Sequence, residues 1–204
     1  MSSSDTFPRL ILGSSSAYRK ELLSRLRLPF ESMSPDIDET PLPHESPEMT
    51  ALRLAQAKAA AIASQIPDAL VIGSDQVATL DGHQIGKPGT HANALRQLQT
   101  MRGRTVTFHT ALCLLDSRNN AAAPLQIENV RTYVTFRDLP DADLNAYLHA
   151  EQPYDCAGSA KNEGLGIAIL SKIEGVDPTA LTGLPLIALT SMLRHANIPF
   201  FQNC

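Results

Sequence analysis

At 204 residues, 43% of them hydrophobic and 19% charged, the chain can bury a substantial core and has the composition of neither a disordered nor a membrane protein. A net charge of -4 without a long basic run argues against duplex nucleic acid as a partner, while a small anion needs only a local positive pocket. The opening "MSSSDTFPRLILG" lacks the basic start and apolar core of a secretory signal. No apolar run is long enough to span a bilayer, so a cytoplasmic location without membrane association is expected.

"RLILG" predicts a first buried strand, and "SSAYRKELLSRLRL" the helix after it, with Ser16 as N-cap and Leu22, Leu23 and Leu26 on its apolar face. "FESMSPDIDETPLPHESP" is rich in proline and acids and reads as an extended segment and loop. Ser46 or Pro47 then starts an alanine-rich helix with Leu52, Ala55, Ala59 and Ile62 on its buried side, closed by Pro67. "DALVIGSDQVATLDGHQIGKP" predicts a strand, a tight Gly-Ser-Asp turn and a small hairpin across Asp81-Gly82. "NALRQLQTMRG" is a shorter helix. "TVTFHTALCLLD" and "IENVRTYVTFRDL" read as antiparallel strands, "PDADLNAYLHAE" as a helix, and "LPLIALTSMLRHA" as the last one. No repeat or linker divides the chain, which predicts one domain over 1–204. The order β-α-β-α-β-β-α-β-β-α-β-α implies an α/β fold: a mixed β-sheet flanked by helices, with a cleft between two lobes.

Four places suggest chemistry. At the first strand-helix turn, Ser14, Ser15 and Ser16 add hydroxyls to a helix N-terminus, and Arg19 lies one turn in; an anion site and a merely capped helix both fit. Asp36, Asp38 and Glu39 crowd a proline-flanked segment, offering oxygen ligands to a hard cation or simply a solvated loop. Asp75 follows an apolar strand, where α/β folds face ligands, or it caps a turn. Lys87 in "IGKP", Lys58 among alanines, and Lys161 with Glu163 in the glycine-bracketed "GSAKNEGLG" are each, taken singly, ordinary surface residues.

The histidines (His44, His83, His91, His109, His149 and His195) form no pair at metal-ligand spacing and suit surface or packing roles. Cys113, Cys156 and Cys204 have neither zinc nor redox spacing. Structural roles suit them: Cys113 in a buried strand, Cys204 as a frayed-end thiol.

"SSSAYRKELL", "DIDE", "RLAQAKA", "GSDQV", "GKP" and "GVDPTALTGLPL" occur in the order and spacing of the Maf family of nucleoside triphosphate pyrophosphatases, which the chain resembles from Leu10 to about Ile198. The resemblance implies a Maf/inosine-triphosphatase-like fold and hydrolysis between the α and β phosphates of a small-molecule nucleotide. It also implies a divalent metal cation (Mg, Mn or Co). It assigns Ser14, Arg19, Lys58 and Lys87 to the triphosphate, and Glu39 and Asp75 to the metal and the attacking water, with Asp75 as proton acceptor. Such chemistry needs cations to offset repulsion between the triphosphate and an incoming hydroxide.

Where members acting on pyrimidine triphosphates carry arginine, threonine and a "GAYxIQG"-like loop, this chain has Tyr18, Gln76 and "GSAKNEG" with Glu163. That set resembles the subgroup associated with 7-methyl-GTP. A carboxylate can accept from the purine N1–H and amine, and an aromatic face can stack on the electron-poor ring. A dTTP/UTP pyrophosphatase, or a nucleotide-binding regulator of cell division, is the alternative. A homodimer is left open.

Overall fold

The computed structural model describes residues 7–119 and 121–201; Cys204 lies outside them. The elements follow the predicted order: β1 (Arg9–Gly13), α1 (Ala17–Ser24), β2 (Glu31–Met33), α2 (Pro47–Ala63), β3 (Ala69–Leu80), β4 (His83–Ile85), α3 (His91–Met101), β5 (Thr105–Asp116), β6 (Leu125–Phe136), α4 (Asp141–Glu151), β7 (Leu170–Gly175) and α5 (Leu186–His195). The side chains of Ser16, Ser46 and Thr90 cap α1, α2 and α3 by accepting from the third N–H beyond them, satisfying donors that a helix start leaves free.

One mixed sheet runs β2-β1-β3-β5-β6-β7, with β1 parallel to β2 and β3 and the later pairs antiparallel. Alternation along the strands sends Leu10, Leu12, Leu70, Ile72, Leu112 and Leu114 to one face, where α1 and α5 cover them. Farther along the same strands, Ala78, Val106, Phe108 and Val134 meet α3 and α4. The opposite face, with Ile11, Val71, Val77, Ala111 and Cys113, is closed by α2. Burial pushes the Cys113 thiol up to about 12, so it stays protonated as packing.

The predicted Gly-Ser-Asp turn is not there. β3 passes straight through Gly73, Ser74 and Asp75, each paired with β5. Gly73 serves a close approach instead: a Cβ on it would sit 2.1 Å from the Ala55 carbonyl oxygen and 2.8 Å from the Ala59 nitrogen of α2. Its lack of a side chain lets that helix lie directly on the strand. Helix α1 is also shorter than its sequence pattern, ending at Ser24.

Candidate active site

The position of Asp75 follows from how β3 is paired. On the side away from β5, β1 accompanies β3 only as far as Gly13 opposite Gly73, and β4 joins it only from Ala78. Between these partners the edge of β3 from Ser74 to Val77 is uncovered. Asp75 therefore stands just past the carboxyl end of its parallel neighbour, the usual ligand position in α/β sheets, although its own strand continues. A cleft of about 840 Å³ straddles this open edge. It separates the part of the sheet under α1 and α5 from the part under α3 and α4.

Most of the residues singled out from the sequence line that cleft: Ser14, Tyr18, Arg19, Glu39, Lys58, Asp75, Gln76, Lys87 and Glu163, whereas Asp36, Asp38 and Lys161 do not. Lys58 is not the solvated lysine its alanine-rich surroundings suggest. It is only 6% exposed, and Asp75 only 7%. Because α2 lies so close over Gly73, the Lys58 ammonium reaches across to Asp75 and stands 2.7 Å from its Oδ1. The same Nζ is 2.7 Å from Glu39 Oε1. The remaining acids of that segment play other parts: Asp38 accepts from the Thr40 N–H at 2.9 Å, and Asp36 is exposed.

Burial raises the Asp75 carboxyl above the usual carboxylate range, against the opposing pull of Lys58 and Arg19. Glu39, at the mouth, is held below that range chiefly by its hydrogen bond from Lys58. The two carboxylates are thus pushed in opposite directions, the arrangement that gives neighbouring acids different tasks.

At the β1–α1 turn, Ser14 is buried and its Oγ accepts from the Ser16 N–H at 3.1 Å and from Arg19 Nη1 at 3.4 Å. Arg19 also donates from Nε to the Gly183 carbonyl at 2.8 Å. Its guanidinium is thereby aimed along the cleft rather than into solvent.

Four side chains that sequence reading passed over build the wall that receives Arg19. Ser74 donates to the Gly183 and Ala111 carbonyl oxygens, both at 2.9 Å. Thr110 donates to the Ala180 carbonyl at 3.0 Å. Thr179 donates to the Leu184 carbonyl at 2.8 Å and receives the Leu186 N–H at 2.8 Å. Asp177, 3% exposed, accepts from the Thr179 N–H at 3.0 Å and hydroxyl at 2.7 Å and from the Ile187 N–H at 2.7 Å, so it caps α5 from a distance. Gly183 turns with φ of 115°, a conformation that favours glycine. A signal was present for two of them, since Asp177 and Thr179 stand inside the GVDPTALTGLPL motif, while Ser74 and Thr110 stand among other polar residues of their strands.

Gln76 belongs partly to this wall. Its Nε2 lies 2.9 Å from Thr110 Oγ1, 3.0 Å from the Leu181 carbonyl and 3.1 Å from the Ala180 carbonyl. Two of those partners can only accept, which fixes the amide orientation and leaves the side-chain oxygen for the cleft.

Beyond Gln76 the lining changes to Phe108, Val134, Leu170 and Leu181, with Asp155, Asn162 and Glu163 also lining this half. The segment carrying Glu163 is stapled rather than loose. Glu151 accepts from the Leu165 N–H at 2.8 Å and pairs with Lys161 at 3.1 Å, while Lys161 Nζ lies 5.8 Å from the Tyr18 ring centroid. Cys156 lines the cleft too, but burial pushes its thiol up to about 12, so it is a poor nucleophile.

Among the described residues no three His, Cys, Asp or Glu side chains come together as a metal cage. Glu39 and Asp75 do converge on one cation, the Lys58 ammonium, through hard oxygen donors. That donor set fits a magnesium-like ion, which typically takes one or two carboxylates and completes its shell with waters and substrate phosphates.

Known proteins resemble this chain over nearly its whole length. The chain is 69% identical over 199 residues to the 7-methyl-GTP pyrophosphatase of Cupriavidus metallidurans, covering 98% of each chain. It is 66% identical over 194 residues to the protein of the same name from Ralstonia nicotianae, covering 95% of this chain and 98% of that one. A solved HAM1 protein from Coxiella burnetii superposes with a TM-score of 0.50 at 16% identity, covering 93% of this chain and 100% of that one, a likeness of fold alone. No helix among the described residues is long and apolar enough to cross a membrane. Residues 9–196 match the description "Maf-like protein", and with that span and those relatives the chain belongs to the Maf family.

Proposed function

We propose that the protein is a nucleoside triphosphate pyrophosphatase that hydrolyses 7-methyl-GTP to 7-methyl-GMP and diphosphate, a housecleaning activity on modified nucleotides in the cytoplasm. The observation that carries this reading is the Lys58–Asp75–Glu39 cluster at the open edge of β3, in one cleft with Arg19, Ser14 and Lys87. The names of the relatives, matched over nearly the whole chain, support the substrate.

In this reading the triphosphate lies along Ser14, Arg19, Lys58 and Lys87. The α1 N-terminus adds backbone N–H groups and the positive end of a helix dipole. Arg19, braced on Gly183, offers a forked donor to phosphate oxygens. Glu39 and Asp75 would hold a divalent cation (Mg, Mn or Co), which when bound would offset phosphate charge near the α phosphorus. Asp75, with its raised pKa, takes the proton of the attacking water. The water oxygen bonds to the α phosphorus, the bond from that phosphorus to the bridging oxygen breaks, and diphosphate leaves with the electron pair.

The base then reaches the apolar half of the cleft. There Tyr18 offers a ring, Gln76 an acceptor oxygen, and Glu163 a carboxylate for the N1–H and exocyclic amine. A 7-methylated ring is electron-poor, so a carboxylate and an aromatic face suit it better than they suit a neutral pyrimidine. The helices and connections that carry these groups surround one sheet, so residues 1–204 act in this reading as a single unit.

The test is diphosphate release from 7-methyl-GTP, GTP, dTTP, UTP and CTP with magnesium or manganese. Preference for 7-methyl-GTP is the expected result. Preference for dTTP or UTP would keep the chemistry and overturn the base assignment. Binding without release from any of them would make the protein a nucleotide-binding regulator.

A further inference from the structure

Lys58 is assigned above to the triphosphate, yet both of its acidic partners belong to the proposed metal pair. Its Nζ stands 2.7 Å from Glu39 Oε1 and 2.7 Å from Asp75 Oδ1. It reaches them from a helix fixed on the sheet by the Gly73 contact, and its side chain is 8% exposed. An ammonium and a divalent ion compete for these carboxylates: Lys58 already holds one oxygen of each, and two cations brought to contact distance repel, so each weakens the other's hold.

We infer that Lys58 is an internal counter-ion that must exchange with the metal. The ammonium holds Glu39 and Asp75 together until a divalent cation displaces it, and it then turns to the phosphates. This rests on the metal reading above and adds an order to it. Leaving two carboxylates costs Lys58 its partners, and only an incoming triphosphate replaces them. Metal and nucleotide therefore strengthen each other's binding, and the coupling is reciprocal. Metal alone binds weakly, because it must expel an ammonium that has no other anion to go to.

The experiment is Mn2+ binding to the full-length protein, followed by the loss of the free-ion paramagnetic resonance signal, with the Mn2+ taken up by the free analogue measured in protein-free solution and subtracted. It uses wild type, Lys58→Met and Lys58→Arg, each with and without the α,β-methylene analogue of GTP, which cannot be cleaved at the relevant bond. Lys58→Met keeps an unbranched apolar stem of similar shape and removes the ammonium, its charge and its N–H donors together. Without nucleotide it should bind Mn2+ on the order of tenfold more tightly than wild type, with little further gain from the analogue. Lys58→Arg, which keeps the charge, should stay weak without nucleotide. Thermal unfolding of each variant checks that the fold is kept, and should Lys58→Met not fold, the Lys58→Arg and wild-type nucleotide dependence still decides the matter.

Wild-type protein that binds Mn2+ equally well with and without the analogue overturns the exchange, as does Lys58→Met with unchanged or weaker Mn2+ affinity. Either result would leave Glu39 and Asp75 standing as metal ligands. If no protein binds Mn2+ even with the analogue present, the metal reading itself falls and the exchange with it.

Discussion

On the α2 side of β3 the cleft is charged, with Lys58, Asp75 and Glu39 in mutual contact. On the α3 and α4 side its walls are Phe108, Val134, Leu170 and Leu181. The alternation of one strand produces both, because Asp75 and Gln76 are neighbours that point to opposite faces of the sheet. A nucleotide is likewise a charged tail joined to a flat, largely apolar base. Under the proposed function, the difference between the two halves separates reaction from selection: changes on the α2 side should alter turnover, and changes on the other side should alter which nucleotide is turned over.

The largest effect to expect is on the charged half. Asp75→Asn keeps the shape of the side chain but cannot take a proton. Its kcat should fall by about 10³-fold or more, with nucleotide binding retained within a few-fold. Stopped-turnover and equilibrium-binding measurements on the same preparation separate the two. Undiminished kcat would show that the α2 side is not where the reaction occurs.

The same residue gives the pH dependence its sign. The base is active when unprotonated, and burial raises its pKa above the usual carboxylate range. Activity should therefore be lost as pH falls through a value above the ordinary aspartate figure of about 3.9. Lys58 pulls that value down, so the acid limb of the kcat/KM profile should move to higher pH in Lys58→Met. A limb that stays at the ordinary carboxylate value would mean that Asp75 is not the group titrating.

A smaller effect is expected where the halves meet, at the wall carrying Gly183. Asp177→Ala removes a buried acceptor from the Thr179 N–H, the Thr179 hydroxyl and the Ile187 N–H, and should cost about 2–3 kcal/mol of stability by denaturant unfolding. The Gly183 carbonyl then holds Arg19 less firmly, so KM should rise for every nucleotide alike. A change in selectivity without a change in stability would assign Asp177 to the base instead.

These residues also show what could be read in advance and what could not. The order of elements, the Ser16 cap and the Asp81-Gly82 hairpin are local matters of patterning and turn chemistry, and they were legible. So were the groups that line the cleft, because the motifs holding them are specific as a set. The Gly73 region was misread: glycine, serine and aspartate together are common turn chemistry, and only the packing of α2 shows that the glycine makes room for a helix. Lys58 was ambiguous for the same reason, since its burial depends on that packing. Asp177 reaches Ile187 across 10 residues of chain and Thr110 reaches Ala180 across 70, partners that no local pattern names.

The smallest effect tests the apolar half alone. Glu163→Gln leaves an oxygen that can still accept one hydrogen bond, but it places an amide donor where the carboxylate would meet the N1–H or the amine of the base. Donor against donor is unfavourable, and the charge that suits an electron-poor ring is lost. The kcat/KM for 7-methyl-GTP should fall by about tenfold, on the order of one charge-assisted hydrogen bond, and its ratio to that for GTP should fall by a smaller factor, because only the methylated ring loses a charge that suits it. The kcat on saturating nucleotide should change far less than in Asp75→Asn, because nothing on the α2 side has moved. Loss of kcat with the ratio preserved would mean that Glu163 serves the reaction rather than the base, and that the two sides of β3 do not divide the work.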